Sequence, residues 1–166
     1  MVKGKWVAAA LIVAAGVLAA LLLFPGGEEK KVKKQFTLLA HYASREEEEK
    51  ILAMARKMKN LESLFAESCE VTAPPYSLVG NFSPADLANL AARARMNYAH
   101  FTLTFHDLSV SFPNQETARV VVTGEVRGKS SRGAAVHEVR EIECLLKKHH
   151  GEWLFTKWAT VEVLKR

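Results

Sequence analysis

The chain has 166 residues, 49% of them hydrophobic, and its 23 Lys and Arg against 18 Asp and Glu give a formal net charge of +5. That length holds one domain with a buried core beside a short terminal segment, and it excludes a multidomain machine. A charge excess of this size bears on solubility and falls short of the basic footprint of a nucleic-acid binder, so no nucleic-acid partner is expected.

Residues 1–5 read as a short tail, and the nineteen residues from Trp6 to Phe24 carry no charge and are dominated by Ala, Leu and Val. At about 1.5 Å per residue the run covers roughly 28 Å, close to the hydrocarbon thickness of a bilayer, which predicts a transmembrane helix over 6–24. A cleaved signal peptide is the alternative, since Lys3 and Lys5 form a basic leader. Leu21-Leu22-Leu23-Phe24 makes a poor cleavage site, however, and a retained signal anchor is favoured. Lys3 and Lys5 abut the span and favour a cytoplasmic N-terminus, which puts the domain outside the cytoplasm at the inner (cytoplasmic) membrane. Lys30, Lys31, Lys33 and Lys34 beyond the span count the other way.

Pro25-Gly26-Gly27 predicts a break, residues 25–35 a charged linker, and 36–166 the domain. Phe36, Leu39 and Tyr42 recur at helical spacing, consistent with a short amphipathic helix or an extended docking segment. Ser44-Arg45-Glu46-Glu47 has the form of a capping box, predicting a helix from Arg45 to Ala66 with an apolar stripe through Ile51, Ala55, Met58, Leu61 and Leu64. Cys69 to Thr72 reads as a short strand, Pro74-Pro75 as a turn, and Tyr76 to Val79 as a second strand. Ser83-Pro84 opens a helix that ends near Met96. Four strands follow: Tyr98 to Phe112, Ala118 to Val126, Val136 to Lys147, and Trp153 to Leu164. The first alternates at Phe101, Leu103 and Phe105, then changes phase to Leu108, Val110 and Phe112, which predicts a β-bulge at His106-Asp107. Cys69 and Cys144 can pair in an oxidising compartment, or remain buried free thiols, the commoner state of such cysteines.

The order of elements is helix, short hairpin, helix, then four long meandering strands. With the closing hairpin Ile142 to Phe155, built on His149-His150-Gly151-Glu152-Trp153, it resembles the nuclear-transport-factor-2-like superfamily, also called cystatin-like or SnoaL-like. The resemblance implies an α+β cone: helices packed on a curved, mostly antiparallel sheet that encloses a pocket, with homodimers possible. Fold alone does not assign function.

Period two on the third strand carries Arg140 and Glu138 to the face of Ile142, Cys144 and Leu146, and on the last strand it carries Lys157 with Phe155 and Ala159. These charged residues are expected at a pocket mouth that holds an anionic ligand, with Tyr76 and Tyr98 as further ligand-binding candidates. The bland alternative is a rim ion pair and a snorkelling lysine. Enzymes resembling ketosteroid isomerase or scytalone dehydratase work with Asp, His or Tyr in this pocket, and the set available here is His106, Asp107, His100, Tyr76 and Tyr98. His106 and Asp107 are the catalytic candidates; equally, Asp107 satisfies an irregular backbone and His106 faces solvent. His149-His150 lacks a third ligand at familiar spacing, and phosphate loop, nucleophile elbow and CxxC are missing, so neither metal nor cofactor is expected.

The tether and the lack of a concentrated polar constellation favour a non-catalytic interaction or scaffold module that docks on another membrane or periplasmic protein. The layout resembles that of the periplasmic assembly-factor subunit of type IV secretion systems. A small-molecule or lipid-binding pocket is the alternative, and a lyase or isomerase of the same fold comes third.

Overall fold

The computed structural model describes residues 26–161. The chain divides into two units, 1–31 and 32–166. The apolar run 6–24 and the end of the expected last strand lie outside the described residues, and among the described residues no helix is long and apolar enough to cross a membrane.

Residues 26–43 form helix α1, including 26–35, where a charged linker was expected. Lys and Glu are good helix formers, and the helix within the second unit docks through Val32, Phe36 and Leu39, all buried at helical spacing. Helix α2 spans Ile51–Glu62, far shorter than the expected Arg45–Ala66. The Ser44 capping box does not form, because tertiary partners take its members. The Ser44 hydroxyl donates to Ala40 O at 2.7 Å and accepts from Leu103 N at 2.9 Å. Arg45 meanwhile exchanges backbone hydrogen bonds with Phe101 at 2.9 and 3.0 Å. The apolar stripe therefore starts late: Ile51 and Leu52 are 82% and 79% exposed, while Met58 and Leu61 are buried.

Strand β1 is Phe65–Ala73, longer than expected, and a 3-10 turn over Pro74–Tyr76 leads into β2, Leu78–Phe82. Helix α3, Pro84–Met96, starts as the sequence implies: Ser83 accepts from Asp86 N, and the Asp86 carboxylate accepts from Ser83 N in return. The strands β3 (Tyr98–Asn114), β4 (Thr117–Ser130), β5 (Ala135–His149) and β6 (Glu152–Thr160) complete the set. β4 runs on to Ser130, beyond the expected end at Val126.

The six strands make one sheet in the order β2-β1-β6-β5-β4-β3, with β1 and β6 parallel and the other pairs antiparallel. The β5–β6 hairpin turns on His150 and Gly151, with φ of 48° and 88°, between the paired residues His149 and Glu152. Two residues with positive φ make a type I′ turn, which matches the twist of the strands and explains the glycine. The inner face of the sheet presents Val120, Val122, Ile142, Leu146, Trp153 and Phe155 to the helices as the main core. Cys69, Val71 and Ala73 form a second apolar cluster under the β1–β2 hairpin.

Candidate functional site

The helices and hairpin do not fill the cone. A cavity of about 310 Å³ remains over the inner face of β4 and β5, walled by α1 (Leu39), α3 (Leu87 and Leu90), β2 (Leu78) and β6 (Trp158). Its lining is mostly aliphatic and aromatic; Tyr76, Glu138 and Arg140 meet at one corner, and Thr160, whose hydroxyl donates to Thr72 O, is the other polar side chain. The sheet delivers the last two because Glu138 and Arg140 continue the inward register of Ile142 and Cys144, and the Pro74–Tyr76 turn brings Tyr76 over them.

At this corner the Tyr76 hydroxyl donates a short hydrogen bond to Glu138 Oε1. Arg140 Nη2 lies 2.9 Å from the same oxygen, and its Nη1 donates to Val139 O at 3.1 Å. Burial, reinforced by the hydrogen bond to Glu138, pushes the Tyr76 phenol up to about 12. The phenol therefore stays protonated and donates, rather than acting as a base at neutral pH. The corner remains wet at its rim, since the Arg140 and Glu138 side chains are 45% and 30% exposed.

The other expected site residues lie elsewhere. Lys157 faces away from the cavity, its Nζ 2.9 Å from Glu70 Oε1 on the outer face. The cause is a bulge: Leu146 pairs with Phe155 and Leu145 with Lys157, so Thr156 is an extra residue that reverses the phase of β6. The reversal puts Trp158 in the cavity wall where uniform alternation placed Lys157. Tyr98 sits at the start of β3 with its ring 5.0 Å from that of Phe101, outside the cavity lining. His100 Nδ1 lies 3.5 Å from Glu47.

His106 and Asp107 do occupy a bulge, since the β3–β4 register shifts between His106 and Ser109. The bulge does not aim them at the cavity. Asp107 has a φ of 54° and is exposed. His106 Nε2 lies 3.1 Å from Glu125 on the outer face, where His137 and Arg127 also reach Glu125 at 2.8 and 2.6 Å. Hydrogen bonds from Arg127 and then His137 hold the Glu125 carboxyl at about 2. Both candidates thus lie away from the cavity, Asp107 at irregular backbone and His106 in a surface network.

Cys69 and Cys144 are free and buried rather than paired. Burial, then the Glu70 charge, raises the Cys69 thiol to about 12, and burial raises Cys144 well above its ordinary value, so neither offers a reactive thiolate. Among the described residues no group of three His, Cys, Asp or Glu is placed to hold a metal ion.

Two features escaped the sequence reading. Trp158 was signalled by the spacing Trp153, Phe155, Trp158, the same change of phase that marks the bulge on β3. Arg95 carried no such signal. It closes α3 at 1% exposure, pairs with Glu49, and donates through Nη1 to the carbonyls of Tyr42, Ala43 and Ser44 at 2.8, 2.9 and 2.8 Å.

No protein-family model and no curated protein matches the chain by sequence. Solved structures do match in shape. A hexachlorocyclohexane dehydrochlorinase, LinA type 2, is 12% identical, with 81% of this chain and 84% of that one covered at a TM-score of 0.66. A candidate scytalone dehydratase from Novosphingobium aromaticivorans is 13% identical, with coverage of 84% and 89% and a TM-score of 0.66. A candidate aromatic ring hydroxylase from the same organism is 13% identical, with coverage of 86% and 92% and a TM-score of 0.68. At such identities the likeness establishes the fold: the chain has the nuclear-transport-factor-2-like, or SnoaL-like, architecture, three helices on a mixed sheet.

The expectation of a non-catalytic scaffold is corrected here. It rested on the lack of a concentrated polar constellation, whereas Tyr76, Glu138 and Arg140 converge on an open cavity, and the solved structures that share the fold are named for enzymes.

Proposed function

We propose that the domain is an enzyme of lyase or isomerase type that moves a proton on a small, largely apolar molecule held in the cone. The observation that carries this reading is the charged corner in a mostly apolar cavity of about 310 Å³. An apolar pocket with few convergent polar groups is the usual form of a small-molecule site. Inside it a carboxylate sheds part of its water shell and becomes a more effective acid–base group.

The roles follow from the geometry. Tyr76 and Arg140 both engage Oε1 of Glu138, so Oε2 is the oxygen turned to a substrate proton. Glu138 accepts that proton. Arg140 and the Tyr76 hydroxyl, both bonded to Oε1, fix the carboxylate.

Base-driven ring opening of nitrobenzisoxazole, a small apolar substrate with a coloured product, tests the reading. The full chain should accelerate it beyond an equal concentration of acetate, and Glu138→Gln should lower the rate by about 100-fold. A wild-type rate no better than acetate sinks the proposal.

The same reading keeps the chain at a membrane. The uncharged run 6–24 supports a single-pass anchor in the inner membrane, and Lys3 and Lys5 before it support a domain outside the cytoplasm. Release of the chain by alkaline carbonate would remove the anchor, and a C-terminal reporter active only in the cytoplasm would reverse the orientation.

A further inference from the structure

We infer that the ligand is electrically neutral and carries one hydroxyl group on an otherwise apolar, flat skeleton. This rests on the reading of the cavity as a substrate site and names the class of molecule that it takes.

The charges at the corner decide the first part. An anionic ligand was the expectation while Arg140 and Lys157 were both placed at the mouth. Lys157 faces Glu70 on the other side of the sheet, and the Arg140 guanidinium already has Glu138 at 2.9 Å. A carboxylate or phosphate entering the cavity would meet an arginine whose charge is matched and a glutamate that repels it. An ammonium group meets the converse problem, because the Glu138 charge is matched by Arg140. Either ion would shed water without gaining an unmatched partner, which is unfavourable in an apolar cavity.

The hydrogen-bond inventory decides the second part. Tyr76 and Arg140 donate to Oε1 of Glu138, and Oε2 remains an acceptor at the cavity. A pure hydrocarbon would cover that oxygen and leave it unsatisfied. A hydroxyl donates to it, so one O–H group satisfies the corner. The walls decide the third part. Trp158 and Phe65 stand beside Leu61, Leu90 and Val126, apolar surfaces against which a flat ring packs.

Naphthol, naphthalene and naphthoate share one skeleton and differ in this corner group alone. Equilibrium dialysis of each against the full chain in lipid nanodiscs, with empty nanodiscs as the blank, gives the order of affinity. Naphthol should bind at least about ten-fold more tightly than either of the others. Glu138→Ala should invert the order, because Arg140 loses its partner and now favours naphthoate, whereas Arg140→Ala should keep naphthol ahead. Thermal melts of the two variants check that the fold persists.

Naphthoate binding tightest to the wild type overturns the inference, as does naphthalene binding level with naphthol. Nitrobenzisoxazole has no hydroxyl, so its turnover tests the catalytic reading separately: turnover without a naphthol preference sinks this inference alone. Failure of all three probes to bind sinks this inference and the substrate-site reading together.

Discussion

Arg95–Glu49 and Arg140–Glu138 are both arginine–carboxylate pairs, the first joined across distant parts of the chain and the second between alternate residues of β5, and their surroundings give them opposite meanings. Arg95 is 1% exposed, and the Glu49 side chain is 5% exposed. Three backbone carbonyls and the Glu49 carboxylate take the Arg95 guanidinium ends, and Lys57 lies 2.7 Å from Glu49. Arg95 Nε is buried without a hydrogen-bond partner among the described residues. The Arg95 side-chain hydrogen bonds go to the segment 42–49, which has no regular structure after residue 43. Arg140–Glu138 stands at the edge of a cavity, partly wet. A pair buried among its own chain's backbone builds structure; one at the partly wet edge of a cavity is where chemistry can occur.

Stability measurements can break this comparison. Arg95→Ala strands a buried Glu49 and three carbonyls, and should cost about 3–5 kcal/mol in urea unfolding. Arg140→Ala removes a partly exposed pair and should cost no more than about 1 kcal/mol. Equal losses at the two sites would erase the distinction between lock and site.

Acid titration sharpens the same contrast. Burial alone would raise the Glu49 carboxyl, but hydrogen bonds from Lys57 and Arg95 outweigh it and lower the group below its ordinary value. A carboxyl depressed in the folded state binds fewer protons there than in the unfolded chain. Its stabilisation is full above the unfolded value of about 4.3 and is lost as pH falls through the folded value. Unfolding free energy should therefore drop as pH is lowered below about 4.3, and Glu49→Gln should flatten that drop. Glu125 and Glu143, also depressed, keep part of the acid slope in the variant. A slope unchanged by Glu49→Gln would mean that the pair is not ionised as the structure has it.

What the sequence disclosed divides along the same line. Alternation on β5 put Glu138 and Arg140 on the cavity side because that strand pairs with β4 without a slip, so period two could be followed from Leu146 outward. Helix α3 was legible because its cap is local, held between Ser83 and Asp86. Lys157 was misplaced by one inserted residue on β6, and α2 was overextended because Ser44 and Arg45 find partners on β3, more than fifty residues away in sequence. Arg95 could not be read at all. Its partners lie near residues 42–49, and no spacing rule links an arginine at the end of one helix to carbonyls at the end of another.

The smallest effect should come from Asp107→Asn, and it separates sequence-level chemistry from the cavity. Asp107 adopts a φ of 54°, and Asn tolerates that left-handed conformation about as well as Asp. The side chain is exposed, outside the cavity lining and next to a histidine that contacts Glu125 instead. The substitution should change stability by no more than about 0.5 kcal/mol and leave nitrobenzisoxazole turnover within error of wild type. A bulge can re-aim side chains toward a cavity, and that is what drew Asp107 into the acid–base set. If Asp107→Asn abolished turnover while the fold held, the chemistry would sit at the bulge, and the Tyr76–Glu138–Arg140 corner would be reduced to a rim contact.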